Sequence, residues 1–166
     1  MRLLASLAAV AAFAAVGVGS APAAGACSKK AAVSAVLASS LPQYYKDEAQ
    51  HKYGPIEGLQ GVSCRDFTRD GKTDMALVFY SGGTAGDIAW VVFRRVGSEW
   101  ALALSRLKLY KLSLAFKGSD IVETQPVYLK GDANCCPSGG FNHRQYHWNG
   151  TRFVAARLWH TNTYKV

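Results

Sequence analysis

The sequence lacks the motifs by which common hydrolase classes are recognised. It has no serine nucleophile elbow, no His-Glu-x-x-His zinc motif and no paired carboxylates in a catalytic pattern. It also has no internal repeat. Four histidines are present, at positions 51, 143, 147 and 160, but no motif makes any of them a general base. These absences predict a non-catalytic protein, without a Ser/Cys/Thr–His–carboxylate triad in a pocket.

Long apolar runs are also missing, with one exception at the start. Residues 3–18 form an almost unbroken run rich in Ala, Val and Leu after Arg2, and small residues follow at 24–26. A charged start, an apolar middle and a small-residue exit are typical of a secretory signal peptide. The alternative, a membrane-spanning helix, needs about 20 apolar residues. The sequence therefore predicts a signal peptide at 1–26 and a single secreted or cell-envelope domain at 27–166.

Acidic residues are scarce. The chain has 19 Lys and Arg against 11 Asp and Glu, and Arg2 is the one charge before residue 27, so the remainder carries a net charge of +7. Six basic residues lie close together around a single acid: Arg94, Arg95, Arg106, Lys108, Lys111 and Lys117. A positive field favours polyanions, so these strands could bind an anionic cell-envelope polymer, although a solvated sheet face is the favoured interpretation. No nucleic-acid-binding motif accompanies the charge, so no specific nucleic acid is expected.

Cysteines are few but even in number, at positions 27, 64, 135 and 136. In an exported chain this count predicts two disulfides, with three possible connectivities. Adjacent residues have Cα atoms about 3.8 Å apart, whereas ordinary disulfides have about 5.5 Å. The favoured pairings therefore join Cys27 to either Cys135 or Cys136, and join Cys64 to the other member of that pair. The alternative is Cys27 to Cys64, together with a ring between Cys135 and Cys136.

Cys27 has a second possible role as a lipid attachment site. Residues 24–26 before it form an approximate lipobox, in which Ala24 stands where Leu is usual. A lipoprotein would also have a flexible tether after this cysteine, whereas here a helix pattern follows at once. Association with a membrane is expected only if Cys27 is lipidated.

The order of the elements indicates an α+β fold. Ser28 is a suitable helix N-cap, apolar residues at 33, 36, 37 and 41 have helical spacing, and Pro42 limits the helix. A second short helix is predicted at 43–53. Strand patterns follow at 75–80, 88–96, 100–104, 112–116, 144–148 and 152–159, with turns at Gly97-Ser98 and Gly118-Ser119 and a two-residue Asn149-Gly150 hairpin. We predict an N-terminal helix packed on one mainly antiparallel, twisted sheet of about six to eight strands.

The acidic stretch at residues 66–74 has the spacing of a short calcium loop. Alternate positions supply Asp66, Thr68, Asp70 and Asp74, the carbonyl of Lys72 adds an oxygen, and Gly71 permits the sharp turn. The stretch resembles the calcium loops of FG-GAP and VCBS repeats, although Thr68 replaces an acid and only one copy is present. The sequence leaves open Ca²⁺ binding or a polar turn in which the Asp side chains accept bonds from their own backbone amides.

Two other segments are candidates for chemistry. The glycine-rich residues 82–86 lack the Gly-Lys-Ser/Thr ending of a phosphate loop and precede a strand, so a hairpin connection is expected. His143 and His147 are four residues apart in a strand pattern, which separates them by about 13 Å. Zinc ligation by these histidines with Cys135 and Cys136 is the less favoured alternative.

Several segments together resemble the LppP/LprE family of bacterial cell-envelope lipoproteins. They are residues 64–71, 82–86 with 90–93, 126–128, 132–140 and 146–150. The Cys-Cys-Pro-Ser element followed by Tyr-x-Trp-Asn-Gly is the most specific part. The resemblance implies an envelope location, and members of the family typically have no assigned activity.

These observations favour a non-catalytic secreted or envelope-associated binding domain. Its ligand surface is expected at residues 135–140, at residues 82–86 or on the basic strands. The alternatives are a hydrolase of an envelope polymer and a structural envelope protein stabilised by calcium.

Overall fold

The computed structural model describes residues 26–52 and 58–163, so the predicted signal peptide lies, apart from Ala26, outside the described residues. The described residues form two helices and eight strands. In chain order they are α1 (Lys29–Ala38), α2 (Gln43–Ala49), β1 (Gly58–Arg65), β2 (Asp74–Tyr80), β3 (Asp87–Val96), β4 (Glu99–Arg106), β5 (Ser113–Lys117), β6 (Asp120–Pro126), β7 (Phe141–Trp148) and β8 (Phe153–Thr161).

The strands form two antiparallel sheets of four. The first has the order β1-β2-β3-β4 and the second the order β5-β6-β7-β8. The predicted α+β class with antiparallel strands is confirmed. The expectation of an N-terminal helix packed on a single sheet is wrong, because the strands divide into two sheets after β4. Two short helices precede them, the second within the predicted range 43–53.

The local signals for α1 lie in its cap and its buried face. The hydroxyl of Ser28 accepts a hydrogen bond from the amide of Ala31 at 3.2 Å, as expected for an N-cap. Ala32, Ala35 and Val36 form the buried side of the helix, and Pro42 then precedes α2.

Strand β3 shows how the layers are arranged. Ala89, Val91 and Phe93 pack with the helices on one face, whereas Trp90 and Val92 pack against the second sheet on the other. The helices, the first sheet and the second sheet are therefore three successive layers with two apolar cores. A strand between two cores must be apolar on both faces, which explains the unbroken apolar run of this segment.

The glycine turns define the hairpins. Val96 pairs with Glu99, and Lys117 pairs with Asp120, so each hairpin has a two-residue loop. Gly97 and Gly118 occupy the first loop position with φ of 58° and 61°, which a residue with a Cβ adopts less readily.

The turn between β7 and β8 differs from the prediction. Trp148 pairs with Phe153, so the loop has four residues instead of two. The side chain of Asn149 accepts hydrogen bonds from the amides of Thr151 and Arg152, at 3.0 and 2.9 Å. The loop is therefore an Asx turn, in which Gly150 keeps a positive φ of 96° and Asn149 does not have one.

The disulfides follow the connectivity that the sequence argument disfavoured. Cys27 is bonded to Cys64, with Cα atoms 6.0 Å apart, and Cys135 is bonded to Cys136, with Cα atoms 3.8 Å apart. The favoured cross-pairing is wrong because Cys64 lies near the end of β1 in the first sheet, beside Cys27, which precedes α1. The adjacent pair instead precedes β7 of the second sheet. The expectation of two disulfides without a free thiol among the described cysteines is confirmed.

The first disulfide should contribute to stability and the second should not. The double variant Cys27→Ser/Cys64→Ser opens a link across 37 residues, and should lower the free energy of unfolding by about 2–4 kcal/mol. Cys135→Ser/Cys136→Ser removes a link that closes no loop, and should change it by less than about 0.5 kcal/mol. Urea denaturation of both variants measures this, and equal losses would contradict the assignment.

Candidate functional site: a basic cleft and the adjoining cysteine loop

A buried carboxylate joins the two sheets. Glu123 of β6 is 2% exposed. It accepts hydrogen bonds from the indole of Trp90 at 2.6 Å, from Nε and Nη2 of Arg106 at 3.0 and 3.1 Å, and from Gln125 at 2.7 Å. Burial alone would raise the pKa of this carboxyl group. The hydrogen bonds from Arg106, Trp90 and Gln125 outweigh burial and hold the pKa of Glu123 below its usual range.

Beside this carboxylate lies a cleft of about 530 Å³, which we call the basic cleft. It is lined by Arg106, Leu109, Glu123, Gln125, Asn142, His143, Arg144, Leu158, Trp159 and His160. The strand register places Glu123 opposite Arg144, and Arg144 opposite Leu158. Because Glu123 is bonded to Trp90 and Arg106 of the first sheet, this face of the second sheet points toward the first. The cleft is therefore an opening between the sheets.

Arg144 and His160 are two further polar groups in the lining of the cleft. Arg144 is half-buried, and its described hydrogen bond is a long one of 3.5 Å to the hydroxyl of Tyr146. His160 is exposed and is oriented by a 3.0 Å hydrogen bond between its Nδ1 and the side-chain oxygen of Asn142. Leu158, 65% exposed, adds an apolar wall. Polar groups beside an apolar wall are typical of a small-ligand site.

The opposite face of the second sheet carries a buried histidine. His143 is 2% exposed and lies between the hydroxyls of Thr124 and Thr161, at 2.9 and 2.8 Å, with its ring stacked on Trp159. Side chains alternate along a strand, so His143 and Trp159 face away from Arg144. Burial first, and then the charges of His160 and Lys117, lower the pKa of His143. This histidine is bonded to two hydroxyls and to no carboxylate in the described ranges.

The segment 106–112 connects the cleft to two loops. Arg106 and Leu109 line the cleft. Further along, the amide of Lys111 donates to the carbonyl of Ala85 at 2.9 Å, which fixes the glycine-rich residues 82–86 beside it. Residues 82–86 form the expected hairpin connection between β2 and β3, with Ser81 donating to Gly86 at 2.9 Å.

On its other side, Lys111 contacts residues 127–140, which we call the cysteine loop. Its ammonium group donates to the carbonyl of Asn134 and lies over the rings of Tyr110 and Tyr128. The hydroxyls of both tyrosines also contact Asn134. The two loops singled out in the sequence are thus brought together by one lysine that precedes β5.

The cysteine loop is ordered by a second acceptor. Asp132 accepts hydrogen bonds from the hydroxyl and amide of Ser138 and from the amide of Leu129, at 2.6, 2.8 and 2.7 Å. The hydrogen bonds from Ser138 have the largest effect and the bond from Leu129 adds to it, so that together they lower the pKa of Asp132. The loop is closed at its base by Gly139, whose amide donates to Val127 at 2.9 Å.

The candidate calcium loop is a network of turns. The carboxylate of Asp66 accepts hydrogen bonds from the backbone amides of Asp70 and Gly71, at 3.1 and 2.9 Å. The carboxylate of Asp70 accepts one from the amide of Lys72 at 2.9 Å. Asp74 is fully buried and accepts the amide and hydroxyl of Thr68, both at 2.9 Å, and the amide of Arg95 at 3.1 Å.

The carboxylates of Asp66, Asp70 and Asp74 each accept hydrogen bonds from backbone amides. In the described part of the chain, no group of three or more His, Cys, Asp or Glu side chains could hold a metal ion. The hydrogen bonds of this segment are those of the polar turn that the sequence allows, and calcium binding stays a prediction. His143 and His147 lie in β7 as expected for a strand, and Cys135 and Cys136 are bonded to each other.

The basic residues of the sequence cluster are dispersed over the fold. Arg94 lies over Trp148 and Arg95 over Trp100, with 5.5 and 4.4 Å to the ring centroids, while Arg106 is held by Glu123. The sequence argument did not single out Glu123, Arg144 or His160. Their partners are distant in sequence, and a short motif cannot reveal such a group.

Comparisons with models of protein families, with curated proteins and with solved structures find no match to this chain. Neither α1 nor α2, the helices of the described ranges, has the length and apolar character of a membrane-crossing segment. Function is therefore inferred from the residues themselves.

The turn network gives a prediction for Asp74. Asp74→Ala should lower the free energy of unfolding by about 3 kcal/mol, because buried donors of Thr68 and Arg95 lose their acceptor. The matched variant Asp70→Ala removes one exposed bond and should cost less than about 1 kcal/mol. Both are measured by urea denaturation with and without millimolar calcium. A calcium-dependent gain in the wild type that Asp70→Ala abolishes would make the loop an ion site.

The lowered pKa of Glu123 predicts acid sensitivity. A carboxyl group whose pKa is lower in the folded than in the unfolded chain stabilises the fold in full at a pH above its unfolded pKa. This contribution disappears as the pH falls through the folded pKa. Glu123→Gln should lower stability at pH 7 by about 2–3 kcal/mol, since Arg106 loses its ionic partner but remains partly exposed. The difference from wild type should shrink below the ordinary Glu pKa of 4.5.

Unfolding curves of wild type and Glu123→Gln at several pH values measure this difference. His143 also destabilises the fold as the pH falls from its ordinary pKa, because its folded form prefers to be neutral, but this effect is common to both proteins and cancels. A constant difference down to pH 3 would contradict the prediction.

Proposed function

We propose that this protein is a non-catalytic binding domain, secreted or associated with the cell envelope, which holds a segment of an anionic envelope polymer in the basic cleft. The observation that carries the proposal is the charge of the cleft. Its described lining contains one carboxylate, Glu123, and Arg106 neutralises it. Arg144 therefore leaves a net positive charge in this lining, and His160 adds a polar group at the surface.

The cleft has the dimensions of a ligand site. A volume of about 530 Å³ lies within the range of small-molecule sites and fits a short segment of a polymer. Arg144 offers a planar set of donors, which suits carboxylate or phosphate groups. Asn142 and Gln125 are amide side chains that add neutral polar groups along the same wall.

The chemistry of the cleft favours binding over hydrolysis of the same polymer. Glycoside hydrolysis ordinarily requires two carboxyl groups that flank the scissile bond. Glu123 is the single carboxylate in the described lining, and its hydrogen bonds from Arg106, Trp90 and Gln125 keep it ionised and occupied. A group held in this way is poorly suited to donate a proton.

The cysteines bear on the proposed location. Disulfides persist in oxidising compartments, and the LppP/LprE resemblance implies the cell envelope. In the described state the sulfur of Cys27 is bonded to Cys64, so it is not available to carry a lipid. Envelope association through the bound polymer is therefore proposed in place of a lipid anchor.

The role of Arg144 can be tested with acidic probes. Arg144→Gln should weaken binding of polygalacturonate or polyphosphate about tenfold, because a charge-assisted hydrogen bond is lost. Wild-type affinity should itself fall with rising salt. Isothermal titration calorimetry of the full chain measures both effects.

Arg152→Gln is the matched control. Arg152 is an exposed arginine in the turn between β7 and β8, so this variant loses the same charge from the same sheet. It should bind the probes like wild type. Equal weakening by both substitutions would indicate attraction by net charge and would refute binding in the cleft, as would the absence of any binding.

A further inference from the structure

The disulfide between Cys135 and Cys136 has no evident structural task. It joins neighbouring residues, so it closes no loop of the chain, unlike the Cys27–Cys64 bridge with its separation of 37 residues. A disulfide stabilises a fold chiefly by restricting the unfolded chain over the loop that it closes. A bridge across one peptide unit contributes little in this way.

The surroundings present this disulfide to solvent. Cys135 and Cys136 are both exposed. The cysteine loop is held by Asp132 and by Asn134, and none of these anchoring hydrogen bonds uses a cysteine side chain. Opening the disulfide therefore leaves the anchors of the loop in place.

A cation is bonded to the peptide group that precedes the pair. The ammonium group of Lys111 donates to the carbonyl of Asn134, which is the peptide group that leads into Cys135. A nearby positive charge stabilises a thiolate over a thiol, and a more stable thiolate leaves faster in disulfide exchange. Lys111 is itself fixed by the rings of Tyr110 and Tyr128, at 5.3 and 5.6 Å.

We propose that Cys135–Cys136 is a thiol–disulfide exchange site that accepts two electrons from extracytoplasmic dithiols. One thiolate of the dithiol attacks a sulfur of the pair, the bond between Cys135 and Cys136 breaks, and the other cysteine leaves as a thiolate that takes up a proton. The second thiol of the substrate then displaces the bound sulfur. The products are two cysteine thiols and the disulfide of the substrate, so electrons and protons balance.

The adjacency of the cysteines makes this bridge the more reducible of the two. Its Cα atoms are 3.8 Å apart, closer than the 4.4–6.8 Å of ordinary disulfides. Cys27 packs against the helix-layer core, and the folded chain keeps Cys64 beside it. The fold therefore favours reclosure of the Cys27–Cys64 bridge.

Equilibration of the folded chain in glutathione buffers of graded composition tests the proposal. Free thiols are trapped by alkylation and located by peptide mass spectrometry. The reducing strength of each buffer is the squared concentration of reduced glutathione divided by the concentration of oxidised glutathione. Cys135–Cys136 should open at a value of this ratio at least ten times lower than the value that opens Cys27–Cys64. The circular dichroism spectrum should stay unchanged when Cys135–Cys136 opens. Opening of both bridges at one ratio, or opening of Cys135–Cys136 only with unfolding, would overturn the proposal.

The rate of exchange tests the contribution of Lys111. With dithiothreitol as the dithiol, Lys111→Met should slow the opening of Cys135–Cys136 roughly three- to tenfold. Lys111→Arg should retain the rate because the charge remains, and Lys117→Met at the end of β5 should match wild type. A rate unchanged by Lys111→Met, or lowered equally by Lys111→Arg, would overturn the assignment of Lys111. Neither experiment depends on ligand binding in the basic cleft.

Discussion

The fold depends on one buried carboxylate that joins two sheets. Glu123 receives donors from Trp90, Arg106 and Gln125 in a space that the apolar core closes on one side. A buried charge is costly unless it is paired and hydrogen-bonded. The two sheets meet in an arrangement that brings Trp90 and Arg106 to this carboxylate. The same arrangement leaves the basic cleft open beside it, so the site is a consequence of how the layers dock.

The parts of the fold that could be predicted are those with local causes. The Ser28 cap, the strand apolar on both faces and the turns at Gly97 and Gly118 each follow from a few adjacent residues. Strand β1 could not be predicted in this way, because Gly58–Arg65 has two glycines and no apolar alternation. It is a strand because it pairs with β2 along its length. The division into two sheets is likewise decided by contacts between layers.

The candidate site was less predictable than the fold, for a related reason. The sequence drew attention to residues 66–74, where acidic residues lie close together, but a compact run of polar residues is also what a tight turn requires. The cleft instead combines Arg106 of β4, Arg144 of β7 and His160 of β8, which no spacing rule connects. The two flanking loops were visible from their composition. Their common contact through Lys111 arises from tertiary structure.

The scarcity of acids connects the architecture with the proposed chemistry. Acidic side chains are used as acceptors, Asp74 and Glu123 in the interior and Asp132 in the exposed cysteine loop. Many of the cations lie over aromatic rings instead, in the pairs Arg65–Phe116, Arg94–Trp148, Arg95–Trp100, Arg157–Trp159 and Lys111–Tyr128. A ring fixes the position of a cation through its quadrupole but carries no net charge. The positive field therefore persists while its sources are held in place, and this field is what an anionic polymer at the cleft and a leaving thiolate beside Lys111 would each meet.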